Sequence, residues 1–217
     1  MKKYISEIIG TFVLVFVGTA AVTIGQAKVL GIGLSFGLAV TIMAYSVGAI
    51  SGGHFNPAVT FGMWINKRIS GTDAIYYVIS QFVGAVLASG VVKYLLGAMG
   101  ASTSNLGQTD FAKISAVPAL VTETLVTFLF VLVILLVTSK KFGNANFAGL
   151  IIGLTLGFMI IASLNLTGGS LNPARSFGPA ILVGGTALAH YWVYVVAPLL
   201  GAAIAAYVAK FLGSEEN

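Results

Sequence analysis

The chain has 217 residues, of which 58% are hydrophobic and only 8% charged, with a formal net charge of +5. A soluble domain needs roughly a quarter of its residues charged, so this composition, with a mean hydropathy of +1.00, excludes a water-soluble globule and indicates a bilayer. The absence of cysteine excludes disulfides, thiol chemistry and soft-metal centres.

Taken in chain order, apolar stretches long enough to cross a hydrocarbon core, roughly 20 residues at helical rise, fall at 4–25, 29–50, 74–97, 117–138, 146–166 and 188–212. The first, behind Lys2 and Lys3, has the make-up of a secretory signal, but it matches the fourth, Glu7 falling on Glu123, and is read as a retained helix. After the second stretch, 51–65 is too short to cross and too apolar to lie in water, so it is expected to re-enter the membrane. Within it Asn56 is a preferred helix N-cap and Pro57 a preferred first residue, which predicts a half-length helix over 57–66 with Lys67 and Arg68 at its C-terminal end, where cations suit the helix dipole. The same chemistry at Asn172-Pro173 predicts a second half helix over 173–183. The polar, Gly/Ser/Thr-rich stretch 98–116 reads as an external loop, and 213–217 as a short, mobile acidic tail. Asn165-Leu166-Thr167 matches a glycosylation sequon but ends a span and is read as fortuitous. His190 is read as a helix-end residue satisfied by backbone groups.

Shifting the chain by 116 positions, the separation of Asn56 and Asn172, lays Glu7 on Glu123, Thr11 on Thr127, Gly33 on Gly149, Gly37 on Gly153 and Gly52-Gly53 on Gly168-Gly169, without a gap. The chain is thus a duplicated unit: a first repeat over 1–97, a linker over 98–116 and a second repeat over 117–217, forming one pore domain. Three spans per repeat send the second copy in from the opposite side, which predicts an inverted repeat. Lys2, Lys3, Lys67, Arg68, Lys140, Lys141 and Lys210 then share one side against Lys28 and Lys113, so both termini are expected in the cytoplasm. This topology accounts for a pI near 9.5 without a nucleic-acid partner. The expected class is an all-α membrane protein with six transmembrane helices and two re-entrant half helices.

Irregular backbone at membrane depth is tolerated where it is buried in protein or lines a water-filled cavity, so the two half-helix starts point to a pore between the repeats. Asn56 and Asn172 at its centre have amide groups able to donate to a passing oxygen. Two helix N-termini add positive potential there, which disfavours cations and a protonated water chain. Glu7 and Glu123, each 49 residues before its Asn, suit either proton or ion carriage or, with their symmetric placement, support of the loop N–H groups; the second is preferred. His54 is read as loop-fixing. Arg175 is either a structural cation or a functional one; the cost of an intramembrane charge, at least about 2.5 kcal/mol, favours function.

Two Asn-Pro-Ala motifs in register, Asn56-Pro57-Ala58 and Asn172-Pro173-Ala174, both after Gly-Gly and with Arg175 following only the second, resemble the aquaporin family of major intrinsic proteins over the whole chain. The resemblance implies a homotetramer in the cell membrane with one pore per subunit, and a filter formed here by Phe36, Ile160, Gly169 and Arg175. Water-selective members have His at the Ile160 position, and glycerol-conducting ones Gly there with an aromatic at the Gly169 position; this chain has neither set. Archaeal-type members are similar in carrying Ile. Ser176, where glycerol facilitators place Asp, leans toward water. Lacking a pore cysteine, the chain is expected to resist the mercury block of the family. The expected function is a passive, ion-excluding water channel that also passes glycerol or other small neutral solutes, without enzymatic activity, metal or cofactor, its contacts being lipid, permeant and its own copies. The alternatives are a glycerol facilitator and an ion-coupled transporter; the latter needs midplane ion ligands, and no Asp lies in any of the expected spans.

Overall fold

In the computed structural model, which describes residues 1–141 and 143–214, every regular element among the described residues is a helix. They are α1 (Lys2–Thr23), α2 (Val29–Tyr45), α3 (Gly48–Ser51), α4 (Pro57–Ile65), α5 (Gly71–Ala98), α6 (Ala116–Val137), α7 (Ala145–Thr167), α8 (Pro173–Val183), α9 (Gly185–Ala189) and α10 (Val193–Phe211). Five of these, α1, α5, α6, α7 and α10, are long and apolar enough to cross a membrane. The sixth, α2, has 17 residues, the lower end of the roughly 17–25 that span a hydrocarbon core. The expected tail residues 215–217 lie outside the described residues.

Polarity runs outward from wet to dry. Glu7, Thr11, Gln81, Ser89, Glu123 and Thr127 are buried, while Ile42, Ile75, Ile79, Val117, Val121 and Tyr207 are exposed. That is the arrangement expected when the surrounding solvent is lipid and the polar groups must find partners inside.

The packing follows the duplication. In the first repeat α1 packs against α5, in the second α6 against α10, and α2 meets α7 between them. The half helices are exchanged: α4 packs on α10 and α8 on α5. The α2–α7 crossing is close because glycines face each other. A Cβ on Gly33 would lie 2.7 Å from the Gly157 carbonyl oxygen, and one on Gly157 2.9 Å from that of Gly33.

Most boundaries lie within about three residues of those expected, and the end of the second span and the start of the last differ more. The second span ends at Tyr45 rather than 50, where the Ser46 backbone leaves helical geometry (φ −102°, ψ −94°) and the chain turns before α3. The first half helix ends at Ile65, Asn66 being its C-cap. The last span starts at Val193 rather than 188, since Gly184 and Gly185 take positive φ (74° and 59°) and break the chain around α9.

The ungapped register also fails beyond α8. Tyr77 donates to the Ser51 carbonyl at 2.7 Å and Tyr194 to that of Thr167 at 2.7 Å; the acceptors are 116 positions apart but the tyrosines 117. Gly84 and Gly201, which bring α5 against the Ile8 backbone and α10 against the Thr124 backbone, show the same extra residue. The insertion is absorbed around the α8–α10 connection, where helix geometry does not constrain chain length.

Candidate functional site

Each half helix starts as its sequence dictates. The Asn56 side-chain oxygen accepts from the Ala58 N–H at 2.8 Å, and that of Asn172 accepts from the N–H groups of Ala174 at 3.0 Å and Arg175 at 3.1 Å, with Pro57 and Pro173 as first helical residues. These caps fix both amide planes. Asn56 Nδ2 then donates across to the Leu171 carbonyl at 2.8 Å and Asn172 Nδ2 to the Phe55 carbonyl at 2.9 Å. An amide nitrogen has two N–H groups, so one of each remains beyond this cross-brace.

The loops ahead of the caps are held by carboxylates. Glu7 accepts from the Ser51 hydroxyl (2.7 Å), the N–H groups of His54 (3.1 Å) and Phe55 (2.7 Å), and Gln81 Nε2 (2.7 Å). Glu123 accepts from the Thr167 hydroxyl (2.5 Å) and the N–H groups of Ser170 (2.9 Å) and Leu171 (2.9 Å). Both are fully buried. His54 bonds Thr60 Oγ1 through Nδ1 at 3.0 Å and sets its ring edge-on to Tyr77; Ser170 and Ser176 make the equivalent contact in the second repeat at 2.6 Å.

A narrow lumen of about 40 Å³ runs past these groups. Its lining includes Asn56, Asn172, His54, Phe36, Ile160 and Arg175, with Val40, Leu156 and Ile134 as apolar wall toward Thr138. The Arg175 guanidinium carbon sits 4.7 Å from the centre of the Phe36 ring, a cation–π contact, and Nη1 donates to the Gly107 carbonyl at 2.8 Å. Arg175 Nε has no partner among the described residues. Gly169 does not itself line the lumen but backs Ile160: a Cβ there would stand 3.2 Å from Ile160 Cα at a φ of +59°. A side chain at 169 would therefore press on both Ser163 and Ile160. Beyond Arg175 the space opens into a vestibule of about 550 Å³ bordered by Asn105, Gln108, Asp110, Lys113 and Asn165. Among the described residues no group of three His, Cys, Asp or Glu side chains is placed to hold a metal.

Several participants escaped the sequence reading. Gln81, which joins Glu7 to Thr60 at 2.7 and 2.9 Å, was detectable as a polar amide inside an apolar span. Tyr77 and Tyr194 gave no such signal, being ordinary amphipathic residues. The carbonyl of Gly107 has no side-chain signature at all. His190 is not satisfied by backbone groups: its Nδ1 meets Asp110 Oδ1 at 2.6 Å, because the linker folds back over the vestibule and brings a carboxylate to it. Arg68 binds beyond its own helix, donating to the Thr138 hydroxyl and the Leu135 and Ser214 carbonyls.

The family model described as Major intrinsic protein matches residues 1–209. "Glycerol uptake facilitator protein-like 6" of Lactiplantibacillus plantarum is 60% identical over 216 residues, covering 100% of both chains. "Probable aquaporin AqpM" of Archaeoglobus fulgidus is 37% identical, covering 99% of this chain and 98% of its own. Among solved structures, the aquaglyceroporin from Plasmodium falciparum superposes with a TM-score of 0.84 at 27% identity, over 98% of this chain and 96% of the other. With the paired half helices, the buried arginine and a family match over nearly the whole length, the chain belongs to the major intrinsic protein family, the aquaporins and their glycerol-conducting relatives.

Proposed function

We propose that this member is a passive channel conducting water in single file, with glycerol and other small neutral solutes as secondary permeants. The observation that carries the reading is the cross-brace: Asn56 and Asn172 each spend one N–H on the opposite loop and keep one for an oxygen moving through the lumen. A water or hydroxyl oxygen accepting from both is turned toward the amides, and its own hydrogens point along the file, where the apolar walls leave neighbouring permeants as their acceptors. Two half-helix N-termini, each equivalent to roughly +0.5 charge, and the Arg175 guanidinium raise the potential along the same path, which opposes cations and hydronium.

Phe36, Ile160, Gly169 and Arg175 are assigned as the filter, and Glu7, Glu123 and His54 as its support. Ile160 offers a permeant no hydrogen bond, so selection rests on width and on the guanidinium. The absence of a polar partner opposite Arg175 leaves the wall smooth for a polyol backbone, and a 60% identical relative carries a glycerol-facilitator name; both support glycerol as second permeant. The role is conduction, not catalysis. The protein is assigned to the plasma membrane with both termini cytoplasmic, as a homotetramer in which each subunit carries its own pore, built from the repeats 1–97 and 117–217 joined through 98–116.

Stopped-flow light scattering on proteoliposomes tests this: osmotic shrinkage should accelerate over empty vesicles, with slower but measurable glycerol-driven reswelling. Arg175→Val should raise the glycerol-to-water ratio. No acceleration of either flux would sink the open-channel reading.

A further inference from the structure

The guanidinium at the filter is only as well placed as the backbone carbonyl that holds it. That carbonyl belongs to Gly107, in a strap of the linker running over the vestibule floor. The strap is pinned at both ends by buried side chains, Leu106 among Val92 and Leu96, and Phe111 among Ala119, Val193 and Tyr194. Between them the Thr109 hydroxyl donates to Ser176 Oγ at 2.8 Å, and the Thr109 backbone lies against Gly168, where a Cβ would stand 2.9 Å away.

A further anchor is the Asp110 side chain. Asp110 Oδ1 meets His190 Nδ1 at 2.6 Å and accepts the Phe111 N–H at 2.7 Å, while Oδ2 accepts the Thr186 hydroxyl at 2.6 Å. The Phe111 ring lies over the His190 imidazole, 4.2 Å between centres at 19°. Thr186, in α9, and His190, its C-cap at the start of the α9–α10 turn, make no hydrogen bond to the filter themselves. Their common effect is to hold the strap, three residues from the carbonyl that Arg175 needs.

We infer that Asp110 and His190 are positioning residues for solute selection: by clamping the 107–111 strap to the α9–α10 turn, they fix the Gly107 carbonyl and thereby the reach of Arg175 into the lumen. Releasing the clamp frees the guanidinium to swing toward the vestibule, which widens the filter and admits the larger solute. The inference rests on Arg175 acting as the filter, as proposed above.

The test measures water and glycerol permeability in the same proteoliposomes, so that their ratio is independent of how much protein has folded. Asp110→Ala and His190→Ala should each raise the glycerol-to-water ratio by about two- to tenfold, the factor that one net hydrogen bond carries. His190→Asn, whose amide keeps an N–H donor where Nδ1 lies, should return toward the wild-type ratio, a rescue that mere loss of fold would not show. Thr186→Val, which removes only the hydroxyl on Oδ2, should move the ratio in the same direction by less, and carries the test if Asp110→Ala does not fold. If Arg175→Val changes the ratio while Asp110→Ala, His190→Ala and Thr186→Val leave it at the wild-type value, the positioning role is wrong and the filter stands. If Arg175→Val itself leaves the ratio unchanged, the filter reading fails and the inference falls with it.

Discussion

Glu7 and Glu123 occupy matching places in the two repeats, yet the structure predicts that replacing each by glutamine has unequal consequences. In Glu123, Oε1 receives two donors, Thr167 and Ser170, and Oε2 only one, the Leu171 N–H. A glutamine can set its carbonyl at the Oε1 position and lose a single bond. In Glu7 the load is even: Oε1 receives Ser51 and His54, and Oε2 receives Phe55 and Gln81. Whichever way a glutamine turns there, its NH₂ faces two donors. An unsatisfied buried donor costs about 1–3 kcal/mol, so Glu7→Gln should be about 1–3 kcal/mol more destabilising than Glu123→Gln. For a domain of this size the difference corresponds to roughly 2–4 °C in Tm per kcal/mol. Thermal unfolding of the purified variants in one detergent measures it. Equal shifts, or a larger one for Glu123→Gln, would refute the count of donors as the governing quantity.

At the α2–α7 crossing, Gly33→Ala would drive a methyl to 2.7 Å from the Gly157 carbonyl oxygen. Relieving it by separating two backbones should cost about 1–3 kcal/mol, read as a lowered unfolding midpoint, and an unchanged midpoint would show that the crossing is looser than drawn. Asp110 gives a pH dependence. Burial pushes its carboxyl up, but hydrogen bonds from Thr186, His190 and the Phe111 N–H, with the charge of His190, outweigh this and hold it below the ordinary carboxylate range. A depressed folded value means that its contribution is present above the unfolded value and lost as pH falls through the folded one. The gap in unfolding midpoint between wild type and Asp110→Asn should therefore shrink as the pH falls from the ordinary carboxylate range downward; a gap that widens over that interval would contradict the assignment.

How much of this was legible in the chain depended on whether a side chain or a backbone group did the work. The half-helix starts were readable because Asn and Pro at successive positions have one strong local meaning, and 173–183 has the bounds that α8 has. The six spans were readable from length and hydropathy, but not their ends, since Ser46 and the Gly184-Gly185 pair act through local geometry that an apolar average smooths over. The extra residue before α10 stayed hidden because the motifs that fixed the register stop at Gly178, leaving only small residues to align. Of the four positions proposed as the filter, Phe36, Ile160 and Gly169 carry no local signal and were placed by resemblance alone. The linker read as a polar loop because its main contribution is the Gly107 carbonyl, and a carbonyl is common to every residue.

The exchange of half helices bears on the order in which the molecule is made. Glu7 braces its loop within the first repeat, so that loop can take its shape as soon as α1 and residues 51–55 are in the membrane together. The partner of the Asn56 amide, the Leu171 carbonyl, and the α10 surface on which α4 rests are synthesised more than a hundred residues later. Until they arrive, a nascent chain holds a short helix start at membrane depth with a polar end unmatched. The first half of the channel is thus an obligate intermediate, and the centre of the pore is the last part to be completed.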